Sequence, residues 1–590
     1  MDLDDLCQGS RSTYQLDIGP STARTQNWKW RKLISSVWAR RLDRVNALGN
    51  EDYGHTGCVN ALSWARNGEL LISSGDDQNL RVWRMDHSSD PTNEYPFTCQ
   101  TVINTGHGAN VFNAQMLPSS TRIATVAGDK QVRVFDVGES VSRSPTGNEM
   151  SYTTQQACIR VLRCHSRRTK RIITEDSPDF FLTVAEDGEV RQHDLRTPHS
   201  CTTDGCPAPL VKLPHELSTI ALSPLTPYQF VVGGESPFAY LFDRRHAGRY
   251  LREEWGMLPS AAHATTCVRR FSRQSRAPGE AKGYEHITGA RMSAWNGHEV
   301  LLSFSSDAVC LYSTRDEPGT SSMIRKSSIL PPNTKRRKKD FSESPSNTRD
   351  DEDQSSFDPR IRDIPEVLWE HEGMGMDVDD EPVCNDDEED VDDDDDDDDE
   401  RSISATDVNT HAPVIYPRMR FSGHCNVETV KDVNFLGPYD EYVTSGSDDG
   451  NFFIWKKSSG EVVDVLEGDD NVVNVIEGHP TLPLVAVSGI DTSIKVIMFE
   501  IHLECKIKKV LPQLFAPARG PAAYSRYRNV TSIIERNARV SRRGVNHTAY
   551  LQLAHLVMHH DNALEAMRNT ENGDTADPDP EARLAQCLNQ

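Results

Sequence analysis

Short apolar stretches recur along the chain, each preceded by an acidic residue at the same distance. An Asp stands six residues before the last core position in five of them: Asp77/Trp83, Asp129/Phe135, Asp187/His193, Asp449/Trp455 and Asp491/Ile497. The residues between alternate in polarity, as they do in β-strands. Asp favours tight turns between antiparallel strands because its side chain bonds the neighbouring backbone. The pattern predicts an all-β protein built from repeated strand–turn–strand units.

A second signature precedes these strands. Gly-His pairs at His55 and His107 lie 28 residues before Trp83 and Phe135, and His424 lies 31 residues before Trp455. Ser73, Thr125, Thr183 and Ser445 stand at a matching offset. A buried His that bonds a Ser or Thr and is backed by the turn Asp would cross-link the layers of one unit. This spacing resembles the WD40 repeat of β-propellers. The predicted structural network comprises His55, Ser73, Asp77, Trp83, His107, Asp129, Asp187, His424, Ser445, Asp449, Trp455 and Asp491.

Two degraded units bring the count to seven. The segment from Thr219 to Arg245 has Ser236 where the Asp is expected, and the segment from Ile287 to Asp316 carries Asp307 one place late. The fold class predicted is therefore a seven-bladed WD40 β-propeller, in which each blade is stabilised by stacking on its neighbours. The sequence leaves open whether an N-terminal or a C-terminal strand closes the ring.

The remaining segments flank or interrupt the repeats. Residues 28–50 predict an amphipathic helix whose apolar stripe would pack on the ring or insert into a groove of a partner. The expected layout is a disordered segment 1–27, the helix 28–50, blades 1–5 in 51–316, a disordered acidic insertion 317–412, blades 6 and 7 in 413–500, a C-terminal helical extension 501–568 and a disordered tail 569–590.

The negative charge is concentrated in the insertion. Between Asp340 and Glu400 there are 29 acidic and 3 basic residues, which accounts for the whole formal net charge of −25. The run Asp392–Asp399 could attract a basic partner such as a histone, or only keep the loop extended. A compact basic cluster of nuclear-import type precedes it, formed by Lys335, Arg336, Arg337, Lys338 and Lys339. We therefore expect the protein in the nucleus and also in the cytoplasm.

Several function classes lack their signatures. The chain has no P-loop, nucleophile elbow or kinase motif, and its His-Ser-Asp sets recur as a structural network would, so no catalytic residue is predicted. Its 13 cysteines include no two well-spaced pairs, so we predict no metal and no cofactor. No signal peptide, membrane span or direct nucleic-acid binding is expected.

Acid-x-Arg pairs end two successive repeats. They are Asp194 with Arg196 and Asp243 with Arg245, and the next repeat keeps Arg315 without the Asp. On consecutive blades these exits lie side by side on one face of the ring. An Asp that bonds an Arg can hold the guanidinium group outward, ready for a carboxylate or for backbone carbonyls.

These boxes resemble those of the cullin-4 ubiquitin-ligase substrate receptors, which dock on the ligase's damaged-DNA-binding adaptor. Stretches such as "EDGEVRQHDLRTPHSC" and the interrupted repeat layout are similar to the nuclear receptor interaction protein branch. The resemblance implies a substrate receptor that recruits a protein substrate, such as a nuclear receptor or a chromatin protein. The adaptor-binding residues that it implies are Asp194, Arg196, Asp243, Arg245 and Arg315, with Leu33, Val37, Trp38 and Leu42 as the hydrophobic anchor.

The chain departs from that pattern in places. His193 and Phe242 stand where the family has Trp or a similar residue, and the insertion has no good match to the calmodulin-binding motif of animal members, so calmodulin is not predicted. The alternative is a nuclear WD-repeat scaffold without a ligase, such as a transcription coactivator or a histone-binding protein, in which the acidic insertion binds the partner.

Overall fold

The computed structural model of the chain describes residues 28, 30–36, 38, 42–49, 54–85, 97–138, 149–197, 201, 206–246, 265–273, 286–318, 411–499 and 530–543. The basic cluster Lys335–Lys339, the acidic run and Val37 lie outside these residues. Within them, no helix is both long enough and apolar enough for a bilayer crossing.

Seven sheets, five of four strands and two of five, form the described structure, which confirms the predicted seven-bladed propeller. Blade 1 has β2 (Val59–Ala65), β3 (Leu70–Gly75), β4 (Asn79–Met85) and β5 (Phe97–Asn104), and blade 2 has β6 (Val111–Met116), β7 (Arg122–Ala127), β8 (Val132–Asp136) and β10 (Cys158–Leu162). Blade 3 has β11 (Thr169–Thr174), β12 (Phe180–Ala185), β13 (Glu189–Asp194) and β14 (Val211–Lys212), and blade 4 has β15 (Leu217–Leu222), β16 (Gln229–Gly234), β17 (Phe238–Asp243) and β18 (Cys267–Ser272).

The remaining blades draw on distant parts of the chain. Blade 5 has β19 (Ile287–Met292), β20 (Glu299–Phe304), β21 (Val309–Ser313) and β23 (Met419–Phe421), and blade 6 has β24 (Val433–Leu436), β25 (Tyr442–Gly446), β26 (Asn451–Lys456) and β27 (Val462–Glu467). Blade 7 has β28 (Val473–Gly478), β29 (Leu484–Gly489), β30 (Ile494–Phe499) and β1 (Leu42–Leu48). Two short strands, β9 (Met150–Tyr152) and β22 (Val414–Ile415), add in parallel to β5 and β18. The helices are an N-terminal one with residues 28, 30–36 and 38, a short one at Thr154–Ala157 and a C-terminal one at Val530–Arg543, with 3-10 turns at Arg66–Gly68 and Arg244–His246.

The first strand of each blade contacts the first strands of its neighbours, so these seven strands form the inner wall of a closed ring. Apolar side chains fill the space between adjacent blades: one cluster joins Leu70 and Val82 of blade 1 to Ile123 and Phe135 of blade 2. The five positions predicted to end the core strands are all buried: Trp83, Phe135, His193, Trp455 and Ile497. In the two degraded units, Phe242 and Tyr312 are buried at the corresponding positions.

The N-terminal segment closes the ring. Strand β1 pairs antiparallel with β30 and forms the outer strand of blade 7. The prediction of one helix through residue 50 is therefore wrong beyond the first three turns, because the free edge of β30 offers backbone hydrogen bonds to this segment. The pairing shifts register between Arg44 and Asn46. That bulge breaks the strict alternation of a strand, so the spacing of Leu42, Val45 and Leu48 imitated a helix.

The insertion falls inside blade 5 and not between two blades. The third strand of blade 5, β21, pairs with β23, which follows the insertion in the sequence. The predicted boundary at residue 412, with only blades 6 and 7 after it, is corrected accordingly. A strand of three residues carries too little alternation to be detected in a sequence.

The predicted network forms in the first three blades. In blade 1, His55 Nδ1 lies 2.9 Å from Asp77 Oδ2 and its Nε2 lies 2.7 Å from Ser73 Oγ, while Trp83 Nε1 donates to the same hydroxyl at 2.8 Å. In blade 2, the His107 ring bridges Asp129 and the Thr125 hydroxyl in the same way.

Blade 3 repeats the arrangement with a histidine that is not among the predicted network residues. His165 contacts Asp187 at 2.9 Å and Thr183 at 2.8 Å. The second imidazole, His193, lies 2.7 Å from the Thr183 hydroxyl and takes the position that tryptophan holds in blade 1.

Blade 6 does not form the predicted network. Among the described residues, both ring nitrogens of buried His424 lack hydrogen-bond partners, and the Ser445 hydroxyl contacts only backbone oxygens, at 3.3 Å. The interval from His424 to Asp449 is three residues longer than the one from His55 to Asp77, which separates the partners. In blade 7, Asp491 keeps its turn through the amide of Ser493 at 2.9 Å and also pairs with Lys495.

Candidate protein-interaction surface

The third strands of blades 3 and 4 end in a shared local geometry on one face of the ring. We call each of these strand ends a corner, and the face of the ring that carries them the corner face. The connections between the first and second strands of the blades lie on the same face. The Asp194 carboxylate accepts the amide N–H of Arg196 and binds Nε and Nη2 of its guanidinium group, all at 3.0 Å. The guanidinium carbon also lies 4.5 Å from the ring centre of Phe180, at the start of β12. Carboxylate and ring together hold the cation in one orientation.

Blade 4 reproduces this corner. Asp243 accepts the amide of Arg245 at 3.0 Å, its Nε at 2.9 Å and its Nη2 at 2.6 Å. The guanidinium carbon lies 3.8 Å from the ring centre of Tyr228. The side chains of Arg196 and Arg245 remain 61% and 60% exposed, so both cations face solvent.

The corresponding strand ends of blades 5 and 2 keep the turn but lack the carboxylate–guanidinium pair. In blade 5 the Ser313 hydroxyl replaces the carboxylate, accepting the Arg315 amide at 3.2 Å and contacting His298 Nδ1 at 2.9 Å. In blade 2, Asp136 accepts the amide N–H of Gly138 at 2.9 Å, and this glycine stands where blades 3 and 4 have an arginine. The structure therefore pairs Asp194 with Arg196 and Asp243 with Arg245, while Arg315 is exposed at the corresponding position of blade 5, where a hydroxyl takes the place of the carboxylate.

The electrostatics of the two pairs are uniform. The hydrogen bonds from Arg196 lower the pKa of Asp194 below its usual range, and those from Arg245 do the same for Asp243. The hydrogen bonds to these carboxylates in turn raise the pKa of both arginines. Both pairs stay ionised at any physiological pH.

The N-terminal helix lies on the corner face, against the connections between the first and second strands of blades 5, 6 and 7. Ile34 and Trp38 are 6% and 4% exposed and join a core cluster with Leu436 and Tyr442. The Trp38 and Tyr442 ring centres are 6.1 Å apart. The Ser35 hydroxyl donates to Glu441 at 2.5 Å. Of the two interpretations left open, packing on the protein's own ring is the one observed for this stripe.

The predicted hydrophobic anchor therefore needs correction. Trp38 faces the propeller and not solvent, because it fills the gap beside the blade 6 connection. Leu42 belongs to β1, and Val37 lies outside the described residues. Leu33 is half-buried.

The helix leaves other aromatic side chains exposed. Trp28 and Trp30 are 53% and 37% exposed, and Trp295, in the blade 5 connection, is 46% exposed. Arg31 lies over the Trp295 ring at 5.5 Å. Leu225, 57% exposed, belongs to the blade 4 connection, which contacts that of blade 5. Sequence reasoning missed Trp295 and Leu225 because both stand alone in loops without periodic neighbours.

Beside this helix lies an open groove of about 430 Å³ lined by residues of the helix and of blades 5, 6 and 7. Trp30, Arg31 and Trp295 are on its walls. The corner face thus combines two exposed cations with a patch of exposed large apolar groups, a combination typical of protein-binding surfaces.

The C-terminal helix covers the opposite face at blade 6, where the turn Asp residues lie. Ile533 is 4% exposed and packs in the cluster that contains Trp455. Asn537 Nδ2 donates to the Gly423 carbonyl at 3.0 Å and to Asp449 Oδ2 at 2.9 Å. The helix thus binds the Asp that the predicted blade 6 network required.

Comparison with known proteins agrees with the fold. The family described as "WD domain, G-beta repeat" matches residues 49–84 and 416–456. The chain is 36% identical over 303 residues to WD repeat protein iqw1 of Schizosaccharomyces pombe, across 50% of this chain and 35% of that protein. It is 31% identical over 308 residues to Protein ALTERED SEED GERMINATION 2 of Arabidopsis thaliana, across 48% and 37%. It is 28% identical over 268 residues to human DDB1- and CUL4-associated factor 6, across 45% and 27%.

The ring of seven blades and these matches define a WD40-repeat protein, a class whose members are usually non-catalytic scaffolds. Within that class its distant homologues include the fission yeast, plant and human proteins just named. The match spans about a third of the length of the yeast and plant relatives.

Proposed function

We propose that the protein is a substrate receptor or scaffold that recruits proteins to a cullin-4 RING ubiquitin ligase by binding the adaptor DDB1 through its corner face. The observation that carries the proposal is the pair of outward guanidinium groups on consecutive blades, each held by its own carboxylate. The name of the human relative, DDB1- and CUL4-associated factor 6, points to the same partner.

The corner geometry suits recognition of backbone carbonyls or carboxylates. An arginine has five N–H donors. Two of those donors in Arg196 bind Asp194, which leaves three directed to solvent. The carboxylate and the aromatic ring already restrain each arginine side chain. A partner that binds the remaining donors therefore costs these side chains little further conformational entropy.

The exposed aromatic groups would supply the apolar part of the interface. Trp28, Trp30 and Trp295 are large and partly exposed, and such residues dominate binding energy where they become fully covered. In this proposal the buried half of the N-terminal helix attaches it to the ring, and the exposed half contacts the adaptor.

The test is a charge reversal of both corner arginines. The full-length double variant Arg196→Glu, Arg245→Glu should bind purified DDB1 at least about thirtyfold more weakly, since a central arginine of an interface contributes about 2 kcal/mol or more. Binding is measured by biolayer interferometry, and circular dichroism checks that the fold is intact.

Arg167→Glu is the matched control. Arg167 is 56% exposed and pairs with Glu216 in a loop on the opposite face, so its reversal also breaks an exposed ion pair. This variant should bind DDB1 as the unaltered protein does. Unchanged DDB1 affinity in a folded double variant would refute the corner-face assignment.

One observation favours the second candidate, a nuclear scaffold that acts without a ligase. The insertion concentrates 29 acidic residues between Asp340 and Glu400, as a binder of histones or other basic proteins would. Under this hypothesis, deletion of 386–400 removes the partner and the arginine reversals do nothing. The basic cluster Lys335–Lys339 would direct either form of the protein to the nucleus.

A further inference from the structure

Three cysteines from two blades converge on the outside of the propeller. Cys164 follows β10, the outer strand of blade 2, and Cys201 and Cys206 lie in the connection from β13 to β14 of blade 3. Their sulphur atoms all lie within 4.8 Å of one another. Cys164 is buried and the other two are half-buried, and none of the three forms a disulfide.

The spacing of the sulphurs matches a known coordination geometry. Cys164 Sγ and Cys201 Sγ are 3.7 Å apart. Zinc–thiolate bonds of about 2.3 Å arranged tetrahedrally separate neighbouring sulphurs by about 3.8 Å. A disulfide would use two of the three thiols and leave one over, whereas a metal ion engages all of them.

From this geometry we propose that Cys164, Cys201 and Cys206 form a zinc site, in which three thiolates fill three of four tetrahedral positions and a ligand from outside the set takes the fourth. Each thiol loses its proton to solvent as the ion binds. Zinc is the chemical class expected, because thiolates are soft ligands and select it over oxygen-preferring cations.

The surroundings favour bound thiolates over free ones. The amide of Arg163 donates to Cys201 Sγ at 3.2 Å, which supports negative charge on that sulphur. Thiols that coordinate a metal ion are deprotonated, so a divalent cation among the three sulphurs would hold them as thiolates.

The site would add a cross-link where blade 3 has little outer strand. Strand β14 has two residues and pairs with β13 only at Glu189 and Val190. Arg196 lies at the start of the connection from β13 to β14, and Cys201 and Cys206 pack against the apolar cluster that contains Leu162 of blade 2. Zinc here would cross-link two blades just beyond the arginine corner.

Metal analysis of the full-length protein tests the proposal. Protein purified under reducing conditions without added chelator should contain about one zinc per chain by inductively coupled plasma mass spectrometry. Replacing zinc with cobalt(II) should give a sulphur-to-cobalt charge-transfer band in the near ultraviolet. Each of Cys164→Ser, Cys201→Ser and Cys206→Ser should lower the zinc content and weaken the band.

Cys158→Ser is the control, because Cys158 is a free, half-buried thiol on the same strand as the approach to Cys164. It should retain the metal. If the serine variants do not fold, the cobalt spectrum of the unaltered protein decides. A protein that neither carries zinc nor shows that band overturns the proposal, as does a Cys164–Cys201 disulfide found in metal-free protein by mass spectrometry or equal metal loss in Cys158→Ser.

Discussion

Ser73 and Ser445 occupy the same repeat position, yet the structure predicts opposite consequences for their loss. The Ser73 hydroxyl joins two buried side chains, with His55 Nε2 at 2.7 Å and Trp83 Nε1 at 2.8 Å. Ser73→Ala removes the hydroxyl that both nitrogens contact in the core. At about 1–3 kcal/mol for each group that loses its hydrogen bond, the variant should lose about 2–6 kcal/mol of stability.

Ser445→Ala should cost less than about 1 kcal/mol, because that hydroxyl makes only long contacts to backbone oxygens. Ser73→Thr should restore most of the stability, since Thr125 performs the same role in blade 2. Urea unfolding followed by tryptophan fluorescence gives the shift in midpoint, and hydrogen exchange in β3 and β4 reports the local opening. Equal losses in Ser73→Ala and Ser445→Ala would refute the assignment of the network to blade 1 and not to blade 6.

Two further predictions concern single side chains. Burial lowers the pKa of His424 from 6.5 to about 4, so the stability that its neutral ring contributes is complete above pH 6.5 and is lost as the pH falls toward 4; the loss should approach roughly 3 kcal/mol. His424→Leu should remove this part of the acid sensitivity in urea titrations at about pH 7 and about pH 5, and unchanged sensitivity would contradict the account. Trp38→Ala should destabilise the fold by about 3–5 kcal/mol, because that side chain is buried against Tyr442. Trp28→Ala should leave stability within about 0.5 kcal/mol but weaken DDB1 binding, and the reverse result in interferometry and thermal unfolding would overturn the division of the helix into an inner and an outer half.

The five repeated Asp positions, together with the two degraded units, were enough to predict the number of blades, because each turn uses a local rule that needs no distant partner. His165 was overlooked because Cys164 stands where the first repeats have Gly, although its interval to Asp187 equals that from His55 to Asp77. The failed network of blade 6 could not be foreseen from residue types, since His424, Ser445 and Asp449 are all present and only their spacing differs.

The features that depend on contacts between distant parts of the chain could not be predicted from the sequence. Strand β1 was predicted as helix because its bulge hides the alternation and its partner β30 lies at the other end of the propeller. The convergence of Cys164 with Cys201 needs two adjacent blades to be in place. The arginine corners could be predicted because Asp194 and Arg196 are only two residues apart in the sequence. The exposure of Trp295 could not be predicted, because it depends on where the ring places its loop.

The course of the chain through blade 5 also determines how the molecule would respond to cleavage. Its outer strand comes from the segment after the insertion, while the outer strand of blade 7 comes from the segment before it. A protease cut in the insertion would therefore produce two fragments that pair at two blades. The N-terminal fragment supplies the outer strand of blade 7, and the C-terminal fragment supplies the outer strand of blade 5. Two separately expressed halves should reassemble into one ring, which makes the insertion a natural position for a split reporter.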